Sequence, residues 1–138
     1  MKREKILLPA ELEKLLDALK ALRGKVQWKP GKDISHLEKR RRMGHLAPHV
    51  TLTEYEKIVL KLVNNGENVV YLYEIREEHY YAVRGKIHDQ LWLVVFGAKG
   101  LMETAFPPVN MDDYLERRGF VLLGRIEEVM QWKVLDSK

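Results

Sequence analysis

LWLVVF, residues 91–96, decides how this chain folds. Six consecutive apolar residues without polar alternation are the pattern of a strand buried on both faces. The segments before it carry the same bias. NVVYLYEI (68–75) is rich in β-branched and aromatic residues. HYYAVRGKI (79–87) alternates, with His79, Tyr81 and Val83 set against Tyr80, Ala82 and Arg84. Downstream, GAKG (97–100) is a tight connection, and LMETAF (101–106) reads as a further strand stopped by Pro107-Pro108. MDDYLERRG (111–119) is a short helix capped by Asn110 or Asp112, and FVLLGRI (120–126) is a last strand. The tail EEVMQWKVL (127–135) fits neither period clearly.

Upstream of residue 66 the period is helical. In PAELEKLLDALKALR (9–23), Leu12, Leu15, Leu16, Leu19 and Leu22 fall on one face, with Pro9 in the first turn and Gly24 as a stop. VQWKPGKD (26–33) is a short extended piece and a turn around Pro30-Gly31. ISHLEKRRRMG (34–44) reads as a helix capped by Asp33 or Ser35 and ended by Gly44. Ile34 and Leu37 are expected on one side of it, and His36, Lys39, Arg40 and Met43 on a neighbouring side. TLTEYEKIVLKLVN (51–64) is the clearest helix, with Thr53 and Glu56 fitting a capping box. Helices followed by strands on short turns predict an α+β fold. N-terminal helices would pack on one face of an antiparallel sheet of about four to five strands, leaving the other face partly open. The 138 residues suit a single domain with one core.

Composition narrows the function. The absence of cysteine rules out disulfides, thiolate nucleophiles and sulfur-ligated metal sites. No apolar run is long enough to cross a bilayer, and the N-terminus lacks the long apolar core of a signal peptide, so the cytoplasm is expected and a membrane partner is not. P-loop, Rossmann and nucleophile-elbow motifs are missing. His45 and His49 stand four apart, a ligand-like spacing, but Pro48 disturbs any helix through them and no acid completes a set. Neither metal nor cofactor is therefore expected.

Charge is the informative feature. Residues 20–45 carry a net +7, whereas 1–19 are neutral and 46–138 sum to −3. Basicity confined to one segment points to an anionic partner, with a solvated charged face as the plain alternative. HLEKRRRMGH (36–45) is its centre. His36, Lys39 and Arg40 share a helical face. One imidazole and two cations suit RNA cleavage, in which proton transfer accompanies charge build-up on phosphorus. They suit simple phosphate binding equally well. Neighbouring cations should lower the pKa of His36 and favour its neutral form. Arg41, Arg42 and His45 extend the basic surface. On the sheet, Arg84 and Lys86 share a strand face with Tyr80. Thr104 interrupts an apolar strand, with Met102 and Phe106 expected on its own face; it is equally an ordinary strand residue. Most of the tyrosines, and Trp92, belong to a core, although such rings also stack on bases.

The order of a helix bearing HLEKRRRMGHL, an amphipathic helix, a strand meander and a strand ending METAFP resembles the barnase–EndoU–colicin–RelE-like nuclease superfamily, in particular its small phage- and toxin-associated branches. The resemblance spans roughly residues 34–123, with the first helix as an addition. It implies a metal-independent endoribonuclease leaving a 2′,3′-cyclic phosphate. His36, Lys39 and Arg40 would be the helix residues and Thr104 the strand polar residue, with Arg84 assigned by strand order alone. A second acid–base group is not fixed, Arg84 and His45 being the options. RNA is the implied partner. A non-catalytic nucleic-acid-binding module and a domain that meets an acidic, antitoxin-like protein are the alternatives. The oligomeric state is left open.

Overall fold

The computed structural model describes residues 7–136, with side chains as far as 132. The elements run α1 (Pro9–Gly24), β1 (Gln27–Trp28), α2 (Lys32–Arg42), α3 (Leu52–Val63), β2 (Val69–Ile75), β3 (Glu78–Ile87), β4 (Gln90–Phe96), a single 3-10 turn (Ala98–Gly100), β5 (Leu101–Phe106), α4 (Met111–Arg118), β6 (Val121–Arg125) and α5 (Ile126–Asp136). The class is α+β. The sheet has six strands in the order β1-β5-β4-β3-β2-β6, against the four to five expected. It is mixed, because β1 runs parallel to β5 while the other neighbours are antiparallel. The extra strand is β1, whose two residues are too few to carry a period. The unassigned tail is helical.

Hydrophobic spacing places the helices. The leucine stripe of α1 is 0–4% exposed, so this helix belongs to the main core and is not an appendage to it. Each such leucine contributes about 1.5–3 kcal/mol of burial. α3 buries Tyr55, Val59, Leu62 and Val63 in the same core, and the first residues of α5 add Ile126 and Val129. These helices cover one sheet face. The other face is not open: α4 lies on it, with Met111 and Leu115 packed over Tyr71, Ala82, Leu93 and Val95.

Two helix starts differ from expectation. α2 begins at Lys32, not at Ile34, because Gly31 adopts φ +82° and turns the chain straight into the helix. The capping box of α3 is Thr51 with Glu54, one threonine earlier than expected. Glu56 is thereby released to accept a hydrogen bond from Trp28 Nε1 at 2.8 Å. On α2, Leu37 and Arg40 point inward, whereas Ile34 is half exposed.

Two irregularities position the site. β1 pairs only with Leu101 and Met102, so the rest of that edge of β5 has no strand beside it. α2 packs there instead. Opposite, the β4–β5 register jumps: Thr104 faces Val95, but Met102 faces Phe96, leaving Glu103 as a bulge. The bulge sends Met102 into the main core and Phe106 to the α4 face. Met102 therefore does not share a face with Thr104 and Phe106, as simple alternation predicts.

Candidate functional site

Thr104 and His36 meet across the seam between β5 and α2, with Thr104 Oγ1 3.2 Å from His36 Nδ1. Both are half-buried. The seam is pinned from below by Tyr55, which is fully buried. Its hydroxyl donates to the Ala105 carbonyl and accepts from the Ala105 N–H at 3.3 Å, taking the place of the strand that β1 does not provide. It also interacts with the Thr104 hydroxyl. Burial pushes the Tyr55 pKa up to about 12, so it remains a donor at any working pH.

The surroundings of His36 favour its neutral form. Burial is the largest cause of its lowered pKa, followed by the nearby charges of Lys32, Arg40 and Lys39, with the Glu103 carboxylate working against them. One turn along α2, Arg40 is the one buried charged residue among the described residues, at 3% exposure. No carboxylate lies within ion-pair distance of it among the described residues. Its Nη1 lies 3.1 Å from His45 Nδ1, and its Nη2 4.0 Å from the Met43 sulfur. The guanidinium carbon stands 5.4 Å from the centre of the Phe106 ring. Its Nε is buried without a hydrogen-bond partner. Burial first, and then Arg40, lowers the pKa of His45. The ring nitrogen that receives the Arg40 N–H must be unprotonated, so His45 is neutral here.

Lys39 is exposed beside Arg40. The two line a groove of about 760 Å³ running between the C-terminal end of α2 and α4. Across it stand Phe106, Tyr114, Arg117 and Arg118, none of which the sequence pattern singled out as functional. Their signal was the run YLERR after METAFPPVN, which reads in isolation as an ordinary short helix.

The remaining expected residues do not join this group. Arg84 does project from the α4 face, in register with Val69 and Leu93. It is held there by Asp112 at 2.8 Å, with the Tyr71 hydroxyl at 3.5 Å. Burial pulls its pKa down, but these two partners outweigh that and hold it above its ordinary value. Lys86 is exposed near the β3–β4 turn. Tyr80 donates to Glu78 and receives Lys29 Nζ at 3.3 Å, beside a different cleft next to α1. Lys29 and Lys32 are drawn to the bulged Glu103, and the Lys29 pKa is raised chiefly by that bond. Arg41 turns its guanidinium onto the Val50 carbonyl, with Nε at 3.0 Å, and clamps the loop after α2. Arg42 and His49 are exposed. Among the described residues no group of three or more His, Cys, Asp or Glu side chains is placed to hold a metal ion.

The arrangement therefore offers an imidazole within hydrogen-bond distance of a hydroxyl, a buried guanidinium without a counter-ion among the described residues, and a cationic, aromatic groove that Arg40 lines and His36 and Thr104 do not. No protein-family model, curated protein or solved structure matches the chain.

Proposed function

We propose that this chain is a metal-independent endoribonuclease with His36 as its general base. The observation that carries the reading is the 3.2 Å contact of His36 with Thr104, one helical turn from a buried Arg40 that has no carboxylate to neutralise it among the described residues. A desolvated cation of this kind is costly unless an anion approaches it. A phosphodiester supplies that anion.

The steps follow from the hydrogen-bond order. Tyr55 donates a hydrogen bond to the Ala105 carbonyl, and in this scheme the Thr104 hydroxyl donates one to the Tyr55 oxygen. Thr104 Oγ1 then accepts from His36 Nδ1–H, which leaves Nε2 unprotonated. Nε2 takes the proton of the ribose 2′-OH as the 2′ oxygen bonds to phosphorus. The bond from phosphorus to the 5′ oxygen breaks, that oxygen takes a proton from water, and the His36 imidazolium returns its proton to the hydroxide left behind. The products are a 2′,3′-cyclic phosphate and a 5′-hydroxyl. Arg40 and Lys39 oppose the charge that accumulates on the phosphorane oxygens. Arg84, Lys86 and Tyr80 have no part in this scheme.

A second reading, a module that binds RNA without cutting it, is favoured by one observation. The charged neighbours of His36 among the described residues are Lys32, Lys39, Arg40 and Glu103, and the last is engaged by lysines, so this set offers no free carboxylic acid and no second imidazole as proton donor. Labelled RNA incubated with the full chain in EDTA separates the two. Cleavage by wild type, lost in His36→Ala while binding persists, is the expected result. Binding by the wild type without any cleavage would leave only the module.

A further inference from the structure

The groove between α2 and α4 is built for more than a phosphate. Four cations line it, Lys39, Arg40, Arg117 and Arg118, against the carboxylate of Asp113. That carboxylate already accepts from Arg117 Nε at 3.0 Å. Beside the cations are flat surfaces. Phe106 and Tyr114 meet edge to face with centroids 5.2 Å apart, and the Arg118 guanidinium lies 4.9 Å over the Tyr114 ring. Tyr114 continues into Phe120 at 6.0 Å, which stacks on Tyr73 at 4.6 Å and 13°. The rings thus form a braced wall. At the rim, Val109 is fully exposed and Met43 is 56% exposed, apolar groups left in water beside a strongly basic cleft.

Phosphate alone would have no use for this wall, and an apolar ligand none for the arginines. A ligand with both a flat apolar face and adjacent negative charge satisfies both, and the volume of about 760 Å³ lies within the usual range for organic ligand sites. Arg40 lines the same groove, and its buried Nε lacks an acceptor. We propose that the α2–α4 groove seats an unpaired nucleobase of single-stranded RNA on the Phe106–Tyr114 wall, with the adjoining phosphate on Arg40. The assignment rests on reading Arg40 as a phosphate grip but not on cleavage. A paired base in a duplex cannot present its face to the wall, so the groove selects single strands.

The test uses the full chain carrying His36→Ala, so that no probe is cut. Three fluorescent probes are compared in about 0.15 M salt: a single-stranded RNA about ten nucleotides long, its blunt duplex, and an abasic ribose-phosphate oligomer of equal charge. The single strand is expected to bind about tenfold more tightly than either of the others, as base–aromatic stacking provides. Tyr114→Ala should remove most of that preference and leave abasic binding unchanged. Because Tyr114 also packs, Val109→Asp serves as the second variant: the side chain is fully exposed, so folding is untouched, yet a carboxylate at the rim should weaken the single strand severalfold. Equal binding of all three probes, or equal losses of RNA and abasic oligomer in Tyr114→Ala, overturns the assignment, as does indifference to Val109→Asp. Tight single-strand binding by a wild type that never cleaves would retire the nuclease reading and leave the base site standing.

Discussion

Thr104 Oγ1 and His36 Nδ1 lie 3.2 Å apart although 68 positions separate them in the chain. Two defects in the sheet make that contact. β1 stops after two residues, so a helix rather than a strand lies along the end of β5, and the bulge at Glu103 sets which residues beyond it meet the main core and which the α4 face. A regular β5 would have carried Met102 to the same side as Thr104 and Phe106.

The first consequence is a pH dependence. The folded-state pKa of His36 lies below 6.5, and that of His45 moves the same way. The unfolded chain therefore binds more protons in this range, and stability falls as pH drops through 6.5 toward the folded values. Above 6.5 neither histidine costs stability. Urea midpoints at pH about 7.5 and about 5 should differ, and His36→Asn should narrow the gap. Glu54 and Glu128 do not confuse the comparison, since their pKa values are lowered from 4.5 and their contributions fade only below that. A His36 resonance titrating above 6.5 by NMR contradicts the burial and charge described here.

Arg40 offers a trade between stability and binding. Its charge is buried without an acid partner among the described residues, so replacing it with an unbranched apolar side chain removes a desolvation cost. Arg40→Met is expected to leave stability unchanged or to raise it by about 1–2 kcal/mol, while RNA affinity falls at least about tenfold. The matching ligand experiment is thermal: RNA should raise the melting temperature of the wild type and not that of Arg40→Met. A variant with a lowered urea midpoint that still folds and binds RNA normally would mean that Arg40 is structural.

Gly100 tests whether α1 belongs to the core. It sits at φ +79°, and a Cβ there would lie 2.9 Å from the Ala18 carbonyl and 3.1 Å from the Ala21 methyl of α1. Gly100→Ala therefore meets both backbone strain and a clash, and should cost about 2 kcal/mol or more. The Gly31→Ala exchange has the same sign of φ but open space around it, so its cost should be only about 1 kcal/mol. Equal losses in denaturant for the two variants would mean that α1 does not press on the β4–β5 connection.

What could be read from the sequence was what repeats. The leucines of α1 and the apolar stripe of α3 announce their period over three or four turns, and LWLVVF announces its burial. β1 is two residues long, and a bulge is a single residue, so neither leaves a periodic trace. Charge patterning was informative about the segment but not about its members. Of the three consecutive arginines, Arg40 is buried, Arg41 clamps Val50 and only Arg42 is exposed. Arg84 shares a strand face with Tyr80, as alternation predicts, yet Asp112 of α4 holds it, and nothing local to HYYAVRGKI signals that partner. The groove wall leaves no local pattern in the sequence, because Phe106, Tyr114 and Arg118 are brought together only by α4 folding back over the sheet.

Tyr55 links this packing to the chemistry. Its hydroxyl satisfies both backbone groups of Ala105 at the uncovered edge of β5, and Thr104 is the adjacent residue. Tyr55→Phe keeps the ring in the core and its contact with Trp28 at 5.5 Å, but leaves a buried N–H and a buried carbonyl unpaired. The expected loss of stability is about 1–3 kcal/mol. It should also release the Thr104 proton from its fixed direction, so that His36 spends part of its time as the wrong tautomer. Cleavage should then fall by one to two orders of magnitude, about as far as losing an orienting hydrogen bond allows, while RNA affinity is unchanged because Arg40 and the groove are untouched. A purely structural role predicts something different: stability and RNA binding would decline together, and restoring stability with an osmolyte would restore cleavage in full. Measuring binding, turnover and urea midpoint on the same Tyr55→Phe preparation decides between them.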